Sequence, residues 1–117
     1  MNKVILMGRL TKDPETRYTQ NNTPVASFTI AVKKRAAEGT DFINCVAWNK
    51  TGEFVSKYFK KGSPIAIIGR INTRNYEDSQ GQKKYITEVV VEEVFFTGSK
   101  EKETEEQTNF NDDDLPF

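Results

Sequence analysis

Apolar and polar positions alternate with period two through most of the first 97 residues. In "VASFTIAVK", Ala26, Phe28, Ile30 and Val32 fall on one face and Ser27, Thr29 and Lys33 on the other. That is the pattern of a half-buried strand. "KVILMGRL" repeats it, with Val4, Leu6 and Leu10 on one parity. "DFINCVAWNK" predicts a third strand, "SPIAIIGRINTR" a fourth and "KKYITEVVVEEVFF" a long fifth. The stretch between the first two strands, "TKDPETRYTQNNTP", is rich in turn formers and reads as a connection. "EDSQGQKK" joins the last two, with Gly81 in a polar turn. One segment departs from the alternation. In "TGEFVSKYFKKG", Phe54, Val55, Tyr58 and Phe59 recur at helical spacing. Thr51 can cap the start of that helix, Lys60 and Lys61 suit its C-terminus, and Gly62 can end it.

Three strands, one short helix and two strands predict an all-β fold: a five-stranded Greek-key barrel of the OB type, with the helix between strands three and four. A small open α+β sheet is the alternative with the same element order. After Gly98 the periodicity stops. "SKEKETEEQTNFNDDD" holds one aromatic and is expected to be disordered. The expected organisation is a barrel domain over residues 1–98, an acidic linker over 99–111 and an acidic, hydrophobic-ended tip over 112–117.

Charge changes this picture more than composition does. The net charge is zero, with 17 basic and 17 acidic side chains. Residues 100–117 hold two of the basic and seven of the acidic ones, which leaves 15 and ten in residues 1–99. A basic body with an acidic tail implies an anionic partner for the body and a separate role for the tail. A solubilising tail on an ordinary domain is the alternative. The apolar stretch Val4–Met7 is too short for a secretory signal, no apolar run spans a membrane, and Cys45 has no cysteine to pair with. These features lead us to expect a cytoplasmic protein.

Catalysis finds little support. There is no histidine, Cys45 reads as a small core residue, and no glycine-rich phosphate loop is present. We therefore expect neither enzyme activity nor a metal or cofactor. The third strand says more. Phe42, Asn44, Val46 and Trp48 share one face, opposite Ile43, Cys45 and Ala47. In the fourth strand Arg70, Asn72, Arg74 and Tyr76 share one parity. Aromatic rings for stacking and cations for phosphates are what single-strand binding needs. The alternative is that Phe42 and Trp48 are core residues and the arginines a solvated face.

"MNKVILMGRLTKDPETRYT", "DFINCVAWNK", "YFKKGSPIAIIGRINTRNYEDSQGQKKYITEVV" and the final "DDDLPF" together resemble the bacterial and phage single-stranded DNA-binding protein family. The resemblance implies an OB fold assembled as a homotetramer that coats single-stranded DNA in replication, recombination and repair. It also implies that Asp112, Asp113, Asp114, Leu115, Pro116 and Phe117 dock partner enzymes. Phe42, Trp48 and Tyr76 stand where the family places base-stacking aromatics. Lys3, Lys50, Lys61 and Arg74 stand where it often places phosphate-contacting cations. Arg9 and Arg70 complete the candidate set, together with Lys33, Lys34 and Arg35 in the loop after the second strand. There this chain has Ala36 near the position of a family aromatic. The linker is also shorter than the family's. An RNA-binding or chaperone-like OB module is the second reading, and a hydrolytic enzyme a distant third.

Overall fold

The structure is a computed structural model that describes residues 1–97; the expected linker and tip lie outside the described residues. The elements run β1 (Val4–Leu10), β2 (Glu15–Tyr18), β3 (Pro24–Lys33), β4 (Thr40–Trp48), α1 (Asn49–Tyr58), β5 (Pro64–Glu77) and β6 (Lys83–Phe95). The five expected strands are present, and β2 is an addition inside the turn-rich connection. All four of its residues are exposed, so it carries no apolar alternation to read. Backbone pairing with β3, from Glu15↔Ser27 to Tyr18↔Pro24, and a hydrogen bond between the hydroxyls of Thr16 and Ser56 of α1 hold it in place.

The helix also starts earlier than expected. It follows Trp48 directly, and Thr51 lies inside it with no side-chain cap at its N-terminus. The turn is made by Asn49 at φ 58°, a left-handed conformation that asparagine tolerates better than most residues. Gly52 then lets the helix backbone lie against β4, since a Cβ there would sit 2.5 Å from the Ala47 carbonyl oxygen. Gly62 does not end the helix. It occupies the following turn at φ 85°, where its N–H donates to Leu10 O at 2.9 Å.

β1 pairs with β5, β5 with β6 and β3 with β4, all antiparallel, while β4 and β6 run parallel. Arg9↔Ala31 and Leu10↔Ile30 join β1 to β3 and close the strands into a ring. That closure excludes the open α+β sheet. The free side of β3 is shared, β2 taking its first residues and β1 its later ones. The ring interior holds Leu10, Phe28, Ile30, Cys45, Ala47, Ile65, Ile67, Val89 and Val91, packed with Val55 of α1 and with Phe59, the residue that follows the helix. Each such large aliphatic side chain contributes about 1.5–3 kcal/mol by leaving water. Beside α1, the Phe96 ring stacks on Phe59 at 5.1 Å and meets Phe54 edge-on at 5.5 Å.

A bulge in β6 changes its parity. Ile68 faces Glu93 while Gly69 faces Val91, so Glu92 is the extra residue. Val89 and Val91 point inward before it and Val94 after it, leaving both Glu92 and Glu93 outside. No helix among the described residues is long and apolar enough to cross a membrane.

Cys45 is buried in this core, and desolvation pushes its thiol up to about 12 from 9.0. The folded protein is therefore expected to resist a thiol reagent at pH 8 and to react fully once unfolded in urea. The raised pKa also means that the unfolded chain loses the proton first. Cys45's contribution to stability is present below pH 9 and is lost as pH rises toward 12. Urea titrations between pH 8 and 11 check the sign: stability falls across that range for the native chain and falls less for Cys45→Ala.

Candidate nucleic-acid interface

The pleat that sends Ile43, Cys45 and Ala47 toward the core sends Phe42, Asn44, Val46 and Trp48 outward. Phe42 is 65% exposed and Trp48 44%, so neither is a core residue. Strand pairing extends this surface sideways. Val46 pairs with Val90 of β6, and Val90 with Arg70 of β5. Paired residues share a face, so the outer residues of β4, β6 and β5 form one continuous surface. Along β5 it carries Arg70, Asn72, Arg74 and Tyr76, which face Val90, Glu88, Ile86 and Lys84 of β6. The expected β4 aromatics and β5 arginines are thus brought together across β6. On the other flank, Ala31 pairs with Phe42, and Thr29 donates to Asn44 Oδ1 at 3.1 Å.

The cations on this surface are already engaged. Arg70 Nη1 lies 3.1 Å from Glu92 Oε2, and Lys3 Nζ lies 3.7 Å from the other oxygen of that carboxylate. Arg74 donates to Glu88 from Nε at 3.1 Å and from Nη2 at 3.4 Å. Lys34, in the β3–β4 connection, pairs with Asp41. Lys33 ends β3, and Arg35 and Ala36 follow it as exposed residues of that connection. Ala36 offers no ring there.

The remaining candidates sit elsewhere. Lys50 is the second residue of α1, and Lys61 lies in the turn before β5 with its N–H donating to Asp13 Oδ1 at 2.8 Å. Arg9 shares the cross-strand row of Ala31 and Phe42, but its Nη1 donates to Gly62 O at 2.9 Å, toward Lys61. Among the described residues, no strand pairing joins Lys50 or Lys61 to the β4–β6–β5 surface. The tip residues Asp112 to Phe117 lie outside the described residues.

Sequence reasoning missed Lys84, Glu88 and Glu92 of β6. Their shared parity with Ile86 and Val90 was the available signal, but the apolar run around them drew attention to the core instead. It also missed how the hairpin of β5 and β6 is held. Asn2 accepts the Ile71 N–H and donates to the Ile71 carbonyl, both at 2.8 Å, and so extends the ladder beside β5 with a side-chain amide.

Exposed rings beside guanidinium groups on one face of a closed strand ring define a module for a ligand with flat apolar faces and negative charge. Nucleic acid has both. The chain belongs to the Single-strand binding protein family, whose model matches residues 1–97, and the strand ring is that family's OB fold. A single-stranded DNA-binding protein of Bacillus cereus is 48% identical over 116 residues, covering 95% of this chain and 68% of its own length. Single-stranded DNA-binding protein A of Bacillus subtilis is 49% identical, covering 86% of this chain and 61% of its own length. Single-stranded DNA-binding protein 3 of Streptococcus agalactiae is 42% identical and covers 100% of this chain and 99% of its own length.

The Asn2 clamp is testable apart from any ligand. Asn2→Ala is expected to cost about 1–2 kcal/mol, two hydrogen bonds at a partly solvated site. Hydrogen exchange of the Ile71 amide is expected to accelerate while that of core amides in β3 changes less.

Proposed function

We propose that this protein binds single-stranded DNA without reading its sequence, as a stoichiometric coat with no catalytic role. The observation that carries the reading is the continuous outer surface on which exposed Phe42 and Trp48 of β4 face the arginines of β5 across β6. Every base has a π face, so stacking on Phe42, Trp48 and Tyr76 is indifferent to sequence. Phosphates are met by Lys3, Arg70 and Arg74, with Lys33, Lys34 and Arg35 at the loop and Arg9, Lys50 and Lys61 at the periphery. The relatives' names supply DNA as the ligand. In this reading the coat protects strands opened during replication, recombination and repair, in the cytoplasm at the nucleoid.

The active form in this reading is a homotetramer. From Val4 to Gly8, β1 pairs with β5 alone, because its contact with β3 begins at Arg9. Ile5 and Met7 are exposed on that strand, beside Ile68 of β5. An apolar strand with an open edge is a template for pairing with another copy. The acidic, hydrophobic-ended segment Asp112–Phe117 recruits replication and repair enzymes. Leu115, Pro116 and Phe117 fill an apolar pocket, and the aspartates meet its basic rim.

Fluorescence titration with oligo(dT) tests the groove. Trp48 is the only tryptophan, so its emission is expected to be quenched as a base stacks on it. Trp48→Ala is expected to lose about 1–3 kcal/mol of binding. Affinity is expected to fall with salt at a log–log slope of about −0.7 per phosphate neutralised. No quenching together with a flat salt response would remove the reading, and equal affinity for RNA of matched length would turn it toward an RNA-binding module. Deleting Asp112–Phe117 is expected to leave the sedimentation of the tetramer and its DNA affinity intact while abolishing capture of enzymes from a bacterial lysate. Phe117→Ala is expected to do most of that damage, since burying a phenylalanine is worth about 1.5–3 kcal/mol.

A further inference from the structure

Glu88 is the one buried charged side chain among the described residues, 7% exposed, and it lies on the outer rather than the inner face of its strand. A carboxylate out of water needs its lone pairs occupied. Glu88 Oε2 accepts from Arg74 Nε at 3.1 Å and from Asn72 Nδ2 at 3.3 Å, and Oε1 accepts from Arg74 Nη2 at 3.4 Å. The neighbouring Glu92 is different. Its side chain is 39% exposed and it is shared between Arg70 and Lys3, the geometry of a loose surface pair. The Glu88 side chain is only 8% exposed beneath an Arg74 that is 49% exposed, so the acid is fixed and the base reaches out.

That asymmetry has a geometric result. A guanidinium carries five N–H donors in a rigid plane. Two of Arg74's are directed down to Glu88, which leaves three on its half-exposed side. Two donors in a fork suffice for a phosphate. Asn72 is oriented in the same way, because its Nδ2 is committed to Glu88 and its Oδ1 is left free.

We propose that Glu88 is a positioning residue of the interface: its buried carboxylate holds Arg74 side-on, so that the free edge of the guanidinium meets phosphate, and turns the Asn72 amide outward. The proposal rests on the reading of this surface as a single-stranded DNA groove. A rival role has the opposite sign. If Glu88 acted only by its charge, it would repel phosphate, and neutralising it would tighten binding.

The test uses the full-length protein, oligo(dT) and Glu88→Gln, which keeps the shape and removes the charge; thermal unfolding checks that the variant is folded. The glutamine NH₂ opposes donors of Arg74 and Asn72 and breaks the fork. Binding is expected to weaken about tenfold, the worth of one charge-assisted hydrogen bond. The salt slope is expected to become shallower by about 0.7, one phosphate contact. On an Arg74→Ala background the same substitution is expected to change affinity by about twofold or less, because its effect passes through Arg74. A merely structural role would weaken both backgrounds alike. Equal or tighter binding by Glu88→Gln, or an undiminished loss without Arg74, would overturn the proposal. Should Glu88→Gln unfold, Arg74→Lys decides. It keeps the charge and loses the fork, so a loss of about threefold or more is expected and unchanged binding overturns the proposal. Failure of the native protein to bind oligo(dT) would overturn both this inference and the function it rests on. Native binding with an unimpaired Glu88→Gln overturns this inference alone.

Discussion

Arg9 and Leu10 pair with Ala31 and Ile30, and these pairings turn a curved sheet into a closed ring. Leu10 stands at a crossing of contacts. Its side chain is 2% exposed, its N–H donates to Ser63 O at 3.1 Å, and its carbonyl accepts from Gly62 at 2.9 Å. One residue thus ties β1, β3 and the turn between α1 and β5 together. Closure gives the inner parity of five strands a common interior to fill. Once the inner residues are committed, the pleat leaves no choice about the outer ones. Phe42, Trp48 and the arginines of β5 are outside because Cys45, Ala47 and Ile67 are inside.

The outer surface that results is not a bare cationic stripe. Lys3, Arg70, Arg74 and Lys34 each meet a carboxylate in the folded chain. On the proposed reading of this surface, a phosphate arriving at these sites would compete with a carboxylate for the cation. Where the pair is exposed, as at Glu92, water already weakens it and the exchange costs little. Where the acid is buried, as at Glu88, it stays in place, and on the proposed reading the cation would serve both partners at once. Among the described residues, the candidate cations Arg9, Lys33, Arg35, Lys50 and Lys61 enter no ion pair, so the unpaired candidates lie at the loop and the periphery of the surface.

The strands were legible because each has to bury one face against a shared interior, and alternation records that need directly. Val4, Leu6 and Leu10, then Ala26, Phe28 and Ile30, point inward as their parity requires. β2 was not legible, because Glu15–Tyr18 buries nothing and is held by its backbone. The helix start was misplaced because a threonine cap is a local signal, whereas here the strand runs into the helix and the turn falls on Asn49. The aromatic candidates and the β5 arginines could be named from their parity, but Glu88 could not. Within "TEVVVEEV" it reads as one acid among several, and only the neighbouring strands show that it is covered.

By itself the sequence determined which residues of each strand share a face, the helix between the third and fourth of the expected strands, the basic body and the acidic tail. These follow from periodicity and composition, which are properties of neighbours along the chain. The tertiary structure decided which faces lie side by side, that β6 separates the aromatics of β4 from the arginines of β5, and which cations are already paired. It also placed the bulge at Glu92 that turns two successive acids outward. Those are properties of registers between strands far apart in sequence. A single residue's slip in register would exchange inside for outside, and no local pattern records where that register falls.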